Sequence, residues 1–162
     1  MAKQFKHHWH IFVDHLPKSE VNQFEFASLL LEFLKTNMHF FDEKLLSLYG
    51  ATKYIEIVDV EKYPVTELNT IDEMKDLMSM FVDHKLERPE KVLRFILYVL
   101  NRIFIQEVDV LCIGCNYPST KLYLNKLNGC LCNVCPIGGT IFYLDGTLVN
   151  EDQCELAVPT LL

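Results

Sequence analysis

Apolar residues recur at helical spacing through most of the first hundred positions, and at strand-like spacing mainly after them. Phe24, Leu31 and Leu34 fall on one face of a helix predicted over about residues 20–36, with Ser19 as its N-cap. Asp42 to Tyr49 reads as a short second helix stopped by Gly50. Met74, Leu77, Met78 and Phe81 follow the i, i+3, i+4, i+7 pattern of a third, opened by a capping box of Thr70 and Glu73. Pro89 suits the first turn of a fourth, about 89–104. That helix is apolar on nearly every face, so it is expected to be the most buried. Two earlier segments, His8 to Val13 before Pro17 and Tyr54 to Val60 before Pro64, are β-prone and predicted as strands.

The texture changes near Ile105. Val108–Leu111, Lys121–Asn125 and Thr140–Leu144 are short β-prone pieces separated by Gly, Asn and Pro, and Asp145-Gly146 is a turn signal. The expected architecture is α+β. A helix-rich α/β domain covers 1–105, a small β domain 106–145, and a C-terminal tail 146–162, loosely held after Cys154.

Half of the 162 residues are hydrophobic and 23% are charged, the balance of a folded chain and not of a disordered one. The formal net charge is −7, which argues against a protein that grips nucleic acid by broad phosphate neutralisation. The N-terminus runs through Lys3, Lys6, His7, His8 and His10 without the apolar core of a signal peptide. The most apolar stretch, Val92 to Ile105, is too short for a bilayer and carries Arg94, Asn101 and Arg102. A soluble, cytoplasmic protein is the expectation.

Five of the six cysteines lie between positions 112 and 135, a clustering that points to metal in a reducing compartment. Cys112-Ile-Gly-Cys115, sixteen residues and then Cys132-Asn-Val-Cys135 match the spacing of a zinc ribbon. Two thiolates three positions apart on a tight turn can reach one ion at about 2.3 Å, and a hairpin brings a second such turn to complete the tetrahedron. The expected cofactor is one Zn2+ held by Cys112, Cys115, Cys132 and Cys135. Four thiolates would leave no open position, which makes the site structural. With little core of its own, the β domain would owe much of its folding to the metal. Cys130 is an alternative to Cys132 that breaks the spacing, and Cys154 reads as a free thiol. Buried reduced cysteines are the plainer reading of the cluster. A redox Cys-x2-Cys fits less well, because neither pair precedes a helix-like run.

The segment from Val110 to Leu122, Val-Leu-Cys-Ile-Gly-Cys-Asn-Tyr-Pro-Ser-Thr-Lys-Leu, resembles the zinc ribbon shared by the beta subunit of translation initiation factor 2 and by translation initiation factor 5. The shared pattern is Cys-x2-Cys-x2-Pro-x-Thr-x-Leu, with a second Cys-x2-Cys after a short hairpin. The resemblance implies Cys112, Cys115, Cys132 and Cys135 as ligands and Pro118, Thr120 and Leu122 as structural residues. It also implies a small α/β domain before the ribbon and a translation-related role, with the ribosome, its RNA or translation factors as partners. It covers residues 108–135 only. The lysine blocks of the eukaryotic beta subunit are absent. So is an N-terminal arginine of the kind factor 5 uses to stimulate GTP hydrolysis, since the first arginine is Arg88. A non-catalytic, divergent relative is therefore expected. A transcription-associated zinc-ribbon protein and an interaction or inhibitor module with a purely structural zinc are the alternatives.

Tyr117, Lys121, Tyr123 and Lys126 form a cation-plus-aromatic group around the hairpin, with RNA stacking as its functional reading and cover for a thin core as its bland one. His7, His8, His10, Asp14 and His15 are a second metal-like group, since His8 and His10 would share a face of a strand. An edge strand without metal is the preferred reading there, because no carboxylate motif completes a hydrolytic site. Asp145-Gly146-Thr147 is like a phosphatase nucleophile loop, but Tyr143 stands where a second Asp is needed, so a hairpin turn is expected.

Overall fold

The computed structural model describes residues 2–17, 21–66, 71–83 and 88–160. The chain is α+β and divides into two compact units. One comprises Met1–Val60 and Glu67–Ile103, the other Glu61–Thr66 and Phe104–Leu162. Among the described residues, no helix is long and apolar enough to cross a membrane.

The first unit is helical. It contains α1 (Ala2–Asp14), α2 (Gln23–Thr36), α3 (Glu43–Leu48), the single turn α4 (Thr52–Ile55), α5 (Ile71–Asp83) and α6 (Pro89–Phe104), whose last residue is assigned to the second unit. The strand expected at His8–Val13 is thus part of a helix. Phe5, Trp9, Phe12 and Leu16 recur every three or four residues, and this period begins upstream of the segment read as β. Phe5, Trp9 and Leu16 are buried. Phe5 packs on Phe40 at 5.4 Å between ring centroids, Trp9 on Phe33 at 5.3 Å and Phe12 on Phe33 at 4.6 Å.

The strand expected from Tyr54 is absent too. Ala51, Tyr54 and Ile57 are buried at a spacing of three, with Tyr54 inside α4, while Val58 is 92% exposed. Lys35 Nζ donates to the Ile57 carbonyl and Tyr54 Oη to Asn101 Oδ1 at 2.5 Å, so side chains from α2 and α6 hold this stretch. The four helices predicted from periodicity are present. Asn22 caps α2, accepting from Glu25 N at 2.9 Å, and Asp42 caps α3, accepting from Lys44 N at 2.8 Å. Ser19 and the Thr70–Glu73 capping box lie outside the described residues and side chains. Helix α6 buries Val92, Leu93, Phe95, Ile96, Leu97, Val99, Leu100, Ile103 and Phe104, leaving an exposed stripe of Lys91, Arg94, Tyr98 and Arg102.

The second unit is an antiparallel sheet of β1 (Glu107–Val108), β2 (Thr120–Asn125), β3 (Cys130–Val134), β4 (Ile141–Tyr143) and β5 (Leu156–Ala157). The order is β1-β2-β3-β4, and β5 also pairs with β2. Since β3 occupies one edge of β2, β1 and β5 share the other: β1 at Thr120–Lys121 and β5 at Leu124–Asn125. The segment after Cys154 is therefore not a loose tail. It supplies a strand and the buried Val158. Phe104, Ile105, Ile141, Phe142 and Val149 give this unit a modest apolar core.

Asn125 binds the sheet together with polar contacts. Its Nδ2 donates to Tyr143 Oη (3.2 Å) and Gln153 O (3.0 Å), and its Oδ1 accepts from Leu127 N and Glu155 N (both 3.2 Å). The amide is fully buried with every group satisfied, as a buried polar side chain must be.

Candidate metal centre

The first turn of the site follows β1. Cys112 N donates to Tyr117 O at 2.9 Å, Asn116 N donates to Cys112 O at 2.8 Å, and Asn116 closes the turn at φ +58°. Asparagine is among the few residues that tolerate this left-handed conformation. Gly114 serves close approach instead of an unusual φ. A Cβ there would meet Thr140 Oγ1 at 2.7 Å, so any side chain would push the two turns apart.

Cys112, Cys115 and Cys135 converge, their sulfur atoms all within 4.8 Å of one another. Cys115 and Cys135 Sγ are 3.5 Å apart, close to the roughly 3.8 Å that a tetrahedral ion with about 2.3 Å zinc–sulfur bonds requires. Backbone amides already point at the sulfurs: Gly114 N donates to Cys112 Sγ at 3.4 Å and Gly138 N to Cys135 Sγ at 3.2 Å. Such donors stabilise thiolate charge. Burial pushes the Cys112 thiol up, but the Gly114 and Cys115 amides and the neighbouring thiols outweigh it and bring the group down to about 7. For Cys115 the Tyr117 amide acts downward, while the Cys135 and Cys112 thiols prevail and raise it. These three thiols fit a metal ion by donor type, distance and local hydrogen bonding.

Cys132, expected as the fourth ligand, stands elsewhere. It lies within β3, opposite Tyr123 on one side and Tyr143 on the other. Side chains alternate along a strand, so residues 132 and 135 project to opposite faces, and the Cys-x2-Cys spacing forms no turn here. Cys132 is buried beside the Cys154 thiol. Burial first, and then Cys154 and Cys130, push its own thiol up to about 12. Cys130 is exposed and turned to the hairpin, its Sγ 3.9 Å from Asn128 O. Cys154 is half-buried, and burial raises it as well.

The aromatic–cation group also separates. Tyr123 is only 8% exposed, and burial, followed by the charge of Cys132, pushes its hydroxyl up to about 12. It covers core and offers no face to a base. Lys126 Nζ pairs with Glu155 at 3.3 Å. Lys126 is exposed within that pair, Tyr117 is 37% exposed and Lys121 is half-buried.

The histidines do not assemble. On a helix, residues two apart point in nearly opposite directions, so His8 and His10 share no face. His8 Nδ1 donates to Asn37 Oδ1 at 2.8 Å, and His15 Nδ1 donates to Ile11 O at 2.7 Å. Asp145 sits in the expected hairpin turn, accepting from Thr147 N at 2.9 Å, with Gly146 at φ +86°. That amide, together with the Thr147 hydroxyl, holds the Asp145 carboxyl below its usual range.

No protein-family model matches the chain, and no curated protein or solved structure does either.

Proposed function

We propose that the protein is a non-catalytic docking factor of the translation apparatus, its sheet unit a divergent zinc ribbon that engages the ribosome. The observation that carries this reading is the path of the Cys112–Leu122 segment, whose motif resembles the ribbons of initiation factor 2 beta and initiation factor 5. It forms one metal-facing turn and runs directly into the central strand β2, with motif residues in structural roles. Thr120 is buried and donates from Oγ1 to Asn133 Oδ1 at 3.2 Å, while Leu122 N donates to Gln106 O at 2.9 Å. Zinc is among the metals that an all-thiolate donor set favours, and the ribbon-like motif selects it here.

The mode of docking follows from charge and exposure. The sheet unit carries three lysines against seven carboxylates, so RNA phosphate is a poor partner and basic ribosomal proteins are better ones. Each turn presents an exposed apolar side chain, Ile113 at 48% and Ile137 at 69%. A protein surface can cover such groups, whereas phosphate cannot.

Sedimentation of lysate through sucrose, with ribosomes and associated proteins identified, tests the reading. The protein is expected in ribosomal fractions, and Ile113→Asp combined with Ile137→Asp is expected to release it without loss of metal. With at most one ribbon lysine, Lys121, engaging phosphate, the log–log salt slope is expected near −1 or shallower, at about 0.7–0.9 per contact. Migration with RNA polymerase would favour a transcription role. Migration with neither would leave an interaction module whose metal is structural.

A further inference from the structure

The two metal-facing turns repeat one backbone pattern. In the first, the amide of Cys112 reaches the carbonyl five residues on, at Tyr117, and the amide of Asn116, four residues on, returns to the Cys112 carbonyl. In the second, Cys135 N donates to Thr140 O at 2.9 Å, again five residues on, and Gly139 N donates to Cys135 O at 3.0 Å, again four. The fourth residue after each cysteine is left-handed, Asn116 at φ +58° and Gly139 at φ +68°. Cys135-Pro-Ile-Gly138 is therefore the counterpart of Cys112-Ile-Gly-Cys115, and Gly138 stands where the first turn has its second thiol.

The space at Gly138 agrees. A Cβ there would lie 3.8 Å from Cys135 Sγ, 4.0 Å from Cys115 Sγ and 3.6 Å from Thr140 Oγ1, all ordinary contacts. Its backbone is not left-handed, so a side chain would meet no strain. Position 138 thus faces the Cys135 and Cys115 sulfurs and supplies no side-chain ligand. Neither turn contains an acidic, basic or imidazole residue to act on a bound water.

We propose that the centre is a three-thiolate site, Cys112, Cys115 and Cys135, whose fourth coordination position over Gly138 is open and held by a water that an incoming thiolate displaces. This rests on the metal reading above but departs from a closed four-cysteine staple. The exchange is ligand substitution only: a metal–sulfur bond forms, the metal–water bond breaks, and the thiol proton passes to solvent. The ligand class is a soft anionic donor, and the Thr140 hydroxyl lies within reach to hydrogen-bond whatever occupies the position.

Cobalt(II), which reports thiolate count through its sulfur-to-metal charge-transfer band, tests this on the full chain. Cys132→Ser is expected to keep the parent spectrum and affinity. Gly138→Cys is expected to raise the charge-transfer intensity by about a third, from three thiolates to four. It should also tighten binding at least about tenfold, since outer partners alone shift metal affinity by that much. Titrating 2-mercaptoethanol into the cobalt-loaded parent should move its spectrum toward that of Gly138→Cys and leave the variant unchanged. This arm needs no substitution and so survives any folding defect. Loss of charge-transfer intensity in Cys132→Ser, or a parent spectrum insensitive to thiol, would overturn the open position while leaving metal binding intact. A folded, reduced chain that takes up no cobalt would sink the metal reading with it.

Discussion

In the helical unit the described side chains most fully removed from water include Phe5, Trp9, Phe26, Leu30, Leu34, Tyr54, Met78, Leu93, Ile96, Val99, Leu100 and Ile103. In the sheet unit those buried to the same degree include Cys112, Cys132, Thr120, Asn125 and Asn133. The first set gains stability from area, which is non-directional and tolerant of small shifts. The second gains it from sulfur and amide groups that need particular partners at particular distances. One unit should therefore respond to the volume of its side chains, the other to chelators, oxidants and single lost hydrogen bonds. The chain's one tryptophan, Trp9, lies in the helical unit and all six cysteines in the other, so the two can be followed separately.

Metal removal should separate them most sharply. Cys135→Ser, or a strong chelator under reducing conditions, is expected to unfold the sheet unit, because structural zinc contributes on the order of 10 kcal/mol in small domains. Far-UV dichroism should keep its helical signal and Trp9 emission should stay buried. Collapse of both signals together would show that the units do not fold independently. Next in size is Ile96→Ala, which opens a cavity in α6 and is expected to cost about 2–5 kcal/mol. The Trp9 melting transition should fall while metal stoichiometry stays unchanged. Asn125→Ala removes four hydrogen bonds and should cost the sheet unit roughly 2–3 kcal/mol, visible as faster amide exchange in β2 and β5. The smallest effect is expected at the exposed Lys126–Glu155 pair. Lys126→Gln should shift the denaturant midpoint by less than about 1 kcal/mol equivalent, and by less still in high salt.

The comparison also explains what could be read from the chain. Periodicity exposed α5 and α6 because long amphipathic or apolar runs leave few alternatives. It misses α1 because the segment from His8 begins three residues past Phe5, and Trp9, Ile11 and Val13 alternate there like a strand. At Tyr54 the β-branched neighbours were outweighed by tertiary contacts that bury every third residue. In the cysteine cluster, three of the four expected ligands converge. Cys132 stands apart from them, because Cys-x2-Cys counts residues and ignores parity, and Cys132 lies in a strand. Two signals pointed to that strand: Asn128-Gly129, a hairpin dipeptide between apolar runs, and the Pro-x-Gly-Gly after Cys135, a turn composition that Cys132-Asn-Val-Cys lacks. The Asn125 network had no signature, since three of its four partners lie 18 to 30 residues away in sequence.

Glu61–Thr66 belongs to the sheet unit although residues 67–103 of the helical unit follow it, and Tyr63 rests edge-on against Phe104 at 6.1 Å. During synthesis this short strap leaves the ribosome before Phe104 and the strands exist. At about 5–20 residues per second it waits several seconds for Phe104 and longer for the strands. The helical unit is likewise incomplete until α6 has emerged. The sheet unit waits for β5, and no single cut in the gene separates the two units: a fragment ending at Ile103 carries the strap without its sheet, and one beginning at Phe104 carries the sheet without its strap.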